Sequence, residues 1–399
     1  MRIVFFTGKG GVGKTTVAAA SALHSARRGI KTLLLSADAA HSVGDVVGTE
    51  VGREPTEISD GLYAAHLDAQ HRLERSWETL QRRLRGWFES GGADPISAEE
   101  LTVLPGVEEV LTLLAVRDHV RTGQVDAVLV DCGPSAETLR LLAVPDALSW
   151  YLERVLPAHR RWARRSRPLA GLLGASGQVP PDDLFDGVLA LAEDLRSVRE
   201  VVADPATSSV RLVLTGESTA VAEARRTRTA LALYGYRLDG VVVNRVMPAG
   251  SGRWGAAWRA AQRAQFEVID ESFADLPVRR LPYLPAEPLG LDALGRMAAE
   301  LYGTDDPLSG NNVDAGLRVA ADEDQFVLTV GLPLADGADV DAARRGDDLI
   351  LTVGGRRRLL ALPSVLRRCT VASGRFAAGE LVLRFDRDPA LWPRGTASP

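Results

Sequence analysis

The feature that most constrains this 399-residue chain is a glycine-rich turn close to its N-terminus. The apolar run Ile3 to Phe6 is typical of a buried strand, and the alanine-rich residues 15–28 are typical of a helix. The turn between them reads Gly8, Lys9, Gly10, Gly11, Val12, Gly13, Lys14, Thr15 and Thr16. This order matches the P-loop pattern, in which backbone N–H groups surround the oxygens of a bound phosphate.

The residue types in this turn predict a nucleotide triphosphate and a divalent cation as ligands. Small residues let the backbone approach phosphate closely, and the next helix directs its positive N-terminus at the same anion. We expect Lys14 to reach the β- and γ-phosphates and Thr15 to bind Mg²⁺. The expected ligands are therefore ATP and Mg²⁺.

Further apolar runs recur along the first three quarters of the chain with helical patterns between them. A strand, a loop, a helix and a second strand in that order predict a parallel sheet with crossover helices. The fold class expected is α/β, a P-loop NTPase domain over residues 1–302. Its further strands are predicted at Thr32–Ser36, Ala127–Asp131, Arg211–Thr215, Gly240–Asn244 and Val278–Leu281.

A mostly helical insertion is predicted at about residues 66–203. One helix face there carries Leu73, Trp77, Leu80, Leu84 and Trp87, which either pack on the core or line a groove for an apolar client. Gly171–Pro181 is predicted to be a mobile loop. The basic run Arg160–Arg167 is either a solvated helix face or a contact with anionic lipid.

The last quarter of the chain has a different pattern. Residues 303–314 are polar and rich in turn formers, which predicts a linker. Short apolar strands separated by turns then predict a small all-β sandwich at 315–387, followed by a flexible tail at 388–399.

Composition narrows the classes of partner. The formal net charge is −5, so no nucleic-acid partner is expected. Cys132 and Cys369 form neither a CxxC pair nor a disulfide framework, which fits a reducing cytoplasm. The cysteine usage thus predicts a cytoplasmic protein. No run approaches the roughly 18 apolar residues of a spanning helix, so no such helix is expected.

Lys9 is an additional lysine early in the P-loop. A lysine there resembles the deviant P-loops of the positioning ATPases, the nitrogenase iron protein and the arsenite-pump ATPases. The resemblance implies a homodimer closed around nucleotide, in which Lys9 crosses to the partner's phosphates and takes part in catalysis together with Lys14.

The segment Asp38-Ala39-Ala40-His41-Ser42-Val43-Gly44-Asp45 is similar to the first switch of the arsenite-pump and tail-anchored-protein-targeting ATPases. The resemblance implies that Asp45 orients the attacking water and that Asp38 lies at the metal site. A surface or capping carboxylate is the alternative for Asp45. Ala39 departs from the family, which has proline at this position.

Val128–Asp131 is an apolar strand that ends in a carboxylate, so we expect Asp131 to hold Mg²⁺ through water. The residues that follow resemble the family's second switch at Pro134, Thr138, Leu139 and Arg140. Glu137 replaces the family's histidine, which leaves open how this switch signals to the client region.

Asn244 and Pro285 are assigned to the nucleotide base by the same resemblance. An asparagine at the end of this strand reads the adenine edge in the family, and its amide both donates and accepts hydrogen bonds. A strand-end asparagine without that role is the alternative. Residues 281–288 resemble the loop that closes over the base.

Residues 332–381 resemble an alpha-crystallin, or small heat-shock protein, domain, which some single-repeat arsenite-pump-like ATPases carry at the C-terminus. This domain either binds clients or supports the dimer.

These expectations describe an ATPase that couples hydrolysis to capture and release of an apolar client. Arsenite is not expected as the client, because soft ions need clustered thiolates and the two cysteines are far apart in sequence. The alternatives are a nucleotide-gated scaffold and a membrane- or DNA-positioning ATPase, and peripheral membrane contact stays open.

Overall fold

The computed structural model describes residues 1–38, 42–67, 107–143, 189, 193–194, 196–250, 252–310 and 316–392. The apolar helix stripe at 73–87, the basic run at 160–167 and the predicted loop at 171–181 lie outside these residues, as do positions 39–41 of the first switch. Within the described residues, no helix combines the length and apolarity that a bilayer crossing requires.

An eight-stranded sheet forms the centre of the first domain. Its strand order is β3-β4-β2-β5-β1-β6-β7-β8, and every pairing is parallel except the edge pair β3–β4. The strands are β1 Arg2–Thr7, β2 Thr32–Ser36, β3 Thr56–Ser59, β4 Leu62–His66, β5 Ala127–Asp131, β6 Ser208–Thr215, β7 Leu238–Val246 and β8 Val278–Pro282.

Helices accompany this sheet because its strands are apolar on both faces. β2, β5 and β6 are buried along their whole length, as expected of parallel strands covered on two sides. The helices are α1 Lys14–Arg27, α2 Val43–Val47, α3 Val107–Thr122, α4 Ser218–Tyr234, α5 Gly252–Ser272 and α6 Gly290–Tyr302.

The C-terminal region is antiparallel and forms two small sheets. One has the order β14-β15-β10-β9 and the other β11-β12-β13, and together they enclose one apolar core. The elements are β9 Leu317–Asp322, β10 Gln325–Gly331, β11 Val340–Arg345, β12 Asp348–Val353, β13 Arg356–Ala361, α7 Ser364–Arg367, β14 Cys369–Ala377 and β15 Glu380–Arg387.

The predicted fold class is confirmed, with a parallel sheet followed by an all-β sandwich. β2 and β5 have the predicted bounds, while β6 and β7 begin earlier than predicted. The patterns in the sequence predict none of β3, β4, β9, β11 and β14. Four of these, β3, β9, β11 and β14, are edge strands. β9, β11 and β14 carry at most one buried side chain each, so they lack a strong apolar pattern.

The segments around the sandwich are packed rather than separate. The Leu308 carbonyl accepts a hydrogen bond from Arg2 Nε at 3.3 Å, within the predicted linker. The Trp392 ring lies 5.8 Å from the Phe326 ring, within the predicted tail. Both observations extend the packed structure beyond the strands themselves.

Candidate functional site

The P-loop lies at the carboxyl end of β1, in the middle of the parallel sheet. Close packing explains two of its glycines. A Cβ atom at Gly8 would lie 1.9 Å from the Val213 carbonyl oxygen, and one at Gly13 would lie 2.4 Å from Asn244 Nδ2. Gly13 also has a φ of 92°, in the left-handed region that favours glycine. Side chains at these positions would displace the loop from the strand ends.

The N-terminus of α1 is open toward the loop. Gly13 occupies its cap position, no side chain caps the helix, and the first turn contains no acidic residue. The first N–H groups of a helix have no partner within the helix and carry partial positive charge. Lys14, in the first turn, is buried. The local field therefore favours an anion at this point.

Asp131 ends β5 beside the P-loop and is fully buried. Burial raises the pKa of Asp131 to about 7, the Thr15 hydroxyl and the Lys14 ammonium lower it, and the negative charge of Asp38 raises it further. Thr15 is close enough to favour the ionised carboxylate, yet neither carboxylate oxygen has a hydrogen bond of standard geometry. A buried acceptor without donors fits a hydrated cation held between Asp131 and Thr15.

The first switch approaches the same point through Ser42. Its hydroxyl lies 3.2 Å from the Thr15 hydroxyl, and α2 begins at the next residue. Asp45 is in the first turn of α2 and is exposed, and Asp38 is half-buried at the end of β2. Thr15, Asp38 and Asp131, the three predicted metal-site residues, thus lie on neighbouring strand ends and on the first turn of α1.

The second switch is hydrogen-bonded to the P-loop strand. The Cys132 amide donates to the Phe6 carbonyl at 3.1 Å, and the Ser135 amide donates to the Gly8 carbonyl at 3.1 Å. The Thr7 hydroxyl donates to the Thr138 hydroxyl at 2.8 Å. Burial raises the pKa of the Cys132 thiol, so this cysteine stays protonated and unreactive.

The predicted base-binding residues line a cavity of about 360 Å³ beside the P-loop. Its lining includes Gly13, Thr16 and Asn244 together with residues 281–288, which contain Pro285. Asn244 Nδ2 donates to the Val12 carbonyl at 2.8 Å, so this side chain contacts the P-loop directly. Gln262 of α5 holds the turn after Asn244, with its Nε2 donating to the Arg245 carbonyl at 3.0 Å.

Two side chains near the site, Thr219 and Glu223, could not be predicted from the sequence because their partners are distant in the chain. Thr219 accepts a hydrogen bond from Lys9 Nζ at 2.8 Å, and Glu223 accepts one from the Ser135 hydroxyl.

The rarity of lysine in this chain is a further sequence signal for Lys9 and Lys14. The only other lysine in the chain is Lys31, and all its remaining basic side chains, apart from histidines, are arginines. A compact ammonium, unlike a planar guanidinium, acts as a point charge.

The fold and this loop define a P-loop NTPase with an appended antiparallel sandwich. The family model described as anion-transporting ATPase matches residues 1–303, and the model described as the HSP20-like domain found in ArsA matches residues 323–385. The chain belongs to this ATPase family and is an ATPase, with ATP as its substrate.

Relatives extend over both domains. A protein of Chlorobaculum tepidum, named as a candidate arsenical pump-driving ATPase, is 35% identical over 91% of this chain and 90% of its own length. An uncharacterized protein of Streptomyces coelicolor is 36% identical over 99% of this chain and 100% of its own length. The ATPase get3 of Schizosaccharomyces japonicus is 25% identical over 75% of this chain and 91% of its own length.

Proposed function

We propose that this chain is a Mg²⁺-dependent, homodimeric ATPase that uses hydrolysis to capture and release an apolar client in the cytoplasm. The observation that carries the proposal is the buried carboxylate of Asp131, which lies beside Lys14 and Thr15 although neither of its oxygens has a hydrogen bond of standard geometry. Burying such a group is costly unless a ligand compensates it.

The roles of the site residues follow from their positions. Gly8 and Gly10–Gly13 wrap the phosphates, Lys14 neutralises the β- and γ-phosphates, and Thr16 lies beside the base cavity. Thr15, Asp131 and Asp38 would hold Mg²⁺, which would neutralise negative charge on the phosphates. Asp45 positions the attacking water.

The base is proposed to lie between Asn244 and Pro285. The Asn244 amide, which donates to the Val12 carbonyl at 2.8 Å, has capacity for the adenine edge as well because each amide group has several donor and acceptor positions.

The dimer is proposed from Lys9. Its side chain is half-buried beside the exposed Gly10 and Gly11, so a second copy could approach the loop from that side. A lysine that leaves Thr219 to reach a partner's phosphates adds positive charge where negative charge develops in the transition state.

The client is proposed to be an apolar protein segment or an amphipathic molecule. The relatives' names suggest arsenical pumping and a get3-type activity. Arsenite needs clustered thiolates, but Cys132 belongs to the first domain's core and Cys369 to the sandwich core. An apolar client is therefore the better candidate.

Single-turnover hydrolysis separates an ATPase from a nucleotide-gated scaffold. We expect Mg²⁺-dependent hydrolysis by the wild type and a loss of about a hundredfold in Asp45→Asn, since water positioning is lost. Asp60→Asn, in the turn between β3 and β4, serves as the control. Equal rates in wild type and Asp45→Asn would overturn the role of Asp45.

Mass spectrometry of molecules that co-purify with Asp45→Asn tests the client. Enrichment of apolar segments over the Lys14→Ala variant, which lacks the phosphate-binding ammonium, supports the proposal. Identical co-purifying material from both variants would contradict nucleotide-dependent capture. Recovery of anionic lipid alone would favour the membrane-positioning alternative, and recovery of DNA would favour the DNA-positioning one.

A further inference from the structure

Helix α4 (Ser218–Tyr234) begins at the nucleotide site. Lys9 of the P-loop donates from Nζ to the Thr219 hydroxyl at 2.8 Å, in the first turn of the helix. This contact engages the ammonium that is otherwise free to approach a phosphate. The position of the first turn and the position of Lys9 are thus linked.

The second switch touches the same helix about one turn further on. The Ser135 hydroxyl donates to Glu223 Oε1, and the Ser135 amide donates to the Gly8 carbonyl. Ser135 therefore joins the P-loop to α4 through its main chain and its side chain. A shift of this segment on nucleotide binding would act on Glu223 directly.

The last turns of α4 hold the sandwich. The Thr229 hydroxyl donates to the Pro333 carbonyl at 2.7 Å, and Arg358 Nη1 donates to the Leu233 carbonyl at 2.6 Å. The Leu233 side chain is fully buried and belongs to the apolar core of the sandwich, whereas Leu231 belongs to the core of the first domain. One helix thus contributes to both cores.

These contacts resist sliding of the sandwich along the helix. Arg358 is only 9% exposed, and a buried guanidinium that loses an acceptor incurs its full desolvation cost. Since α4 has 17 residues, it spans about 25 Å as a continuous rod. Its first two turns and the turns that contact the sandwich therefore belong to one continuous element.

We infer that α4 couples nucleotide binding to docking of the sandwich, and that docking opposes nucleotide binding. The docked helix holds Thr219 where it engages Lys9, and phosphate competes for that ammonium. Coupling between two sites is reciprocal. If bound nucleotide weakens docking of the sandwich by some factor, then undocking of the sandwich strengthens nucleotide binding by the same factor. This inference rests on the proposed phosphate site of the P-loop.

The test compares the affinity of full-length variants for a non-hydrolysable ATP analogue, measured by calorimetry with Mg²⁺. Arg358→Met keeps an apolar stem and removes the guanidinium, and Arg357→Met, at the exposed neighbouring position, is its matched control. We expect about fivefold tighter binding for Arg358→Met, the lower end of typical coupling, and no change for Arg357→Met.

A second pair of variants covers the case in which Arg358→Met does not fold. Thr229→Val removes the hydrogen bond to the Pro333 carbonyl and a bond of 3.3 Å to the Arg225 carbonyl within the helix. Thr227→Val is the control because it removes only a bond within the helix, to the Glu223 carbonyl. We expect tighter analogue binding for Thr229→Val alone. Hydrogen exchange should also show faster exchange of residues 356–361 when the analogue is added to the wild type.

Unchanged or weaker analogue binding in both interface variants would overturn the coupling, while the phosphate site itself would stand. If the wild type does not bind the analogue at all, the proposed function and the coupling both fail. The two failures are therefore distinguishable.

Discussion

The parallel sheet and the sandwich bury their strands in opposite ways. All eight residues of β6 are buried, whereas buried and half-buried residues alternate along most of β15. A sheet covered on both faces is accessible mainly at its strand ends, and the P-loop, Asp131 and Asn244 all lie there. A sandwich strand instead presents one side to solvent along its length. The candidate site of the first domain therefore lies at its strand ends, whereas the sandwich exposes side chains along whole strands.

The largest expected effect is on activity, and it distinguishes the site at the strand ends from the rest of the first domain. Lys14→Ala removes the buried ammonium beside Asp131 and should lower the ATP hydrolysis rate by a hundredfold or more, in the range of about 10²–10³ for a lost transition-state donor. Lys31→Ala removes a cation that lies 5.1 Å from the Tyr63 ring centre and should leave the rate unchanged. Equal losses in both variants would mean that the effect is not specific to the phosphate site.

Two leucines of α4 test whether the cores are separate. Leu231→Ala should destabilise the first domain and Leu233→Ala the sandwich, each by about 2–5 kcal/mol, because both side chains are fully buried. Hydrogen exchange resolved by peptide measures which domain loosens. Loosening of the same domain in both variants would contradict the division into two cores.

Asp131 gives the metal-free protein a pH-dependent stability. Its pKa is 3.8 when unperturbed and about 7 in the fold, so the fold retains a proton that the unfolded chain has lost. The free energy of unfolding should therefore fall as the pH rises from about 4 to 7, by at most about 4 kcal/mol. Asp131→Asn should remove this dependence. Chemical denaturation in the presence of a chelator, repeated between pH 5 and 8, measures the free energy of unfolding of both proteins. The same pH dependence in wild type and Asp131→Asn would contradict the raised pKa of Asp131.

The smallest expected effect concerns the hydrogen bond between Asn244 and the P-loop. Asn244→Ala removes the hydrogen bond to the Val12 carbonyl, which typically contributes about 1 kcal/mol, and should raise the KM for ATP about fivefold with little change in kcat. Gln265→Ala, at a half-buried position of α5, is a control outside the base cavity. A fall in kcat with unchanged KM would assign Asn244 to the chemical step instead.

The sequence predicted the parallel sheet and the placement of the P-loop because local patterns encode both. β5 is an unbroken apolar run, and Gly13 to Thr15 form a motif whose spacing follows from backbone geometry. The contacts of α4 could not be predicted. Leu231 and Leu233 look alike in sequence, and only the long-range packing assigns them to different cores. The raised pKa of Asp131 likewise depends on burial by distant elements.

The central proposal is that Lys9 of a second copy completes each nucleotide site. Heterodimers purified through two different tags test this claim directly. A Lys9→Ala/Lys14→Ala heterodimer contains one site with its own Lys14 and with Lys9 supplied by the partner. The wild-type/Lys14→Ala heterodimer contains the same complete site and is the control.

We predict equal ATP hydrolysis rates for these two heterodimers and a much lower rate for the Lys9→Ala homodimer. A Lys9→Ala/Lys14→Ala heterodimer as slow as the Lys9→Ala homodimer would show that Lys9 acts within its own subunit, and would contradict the central claim.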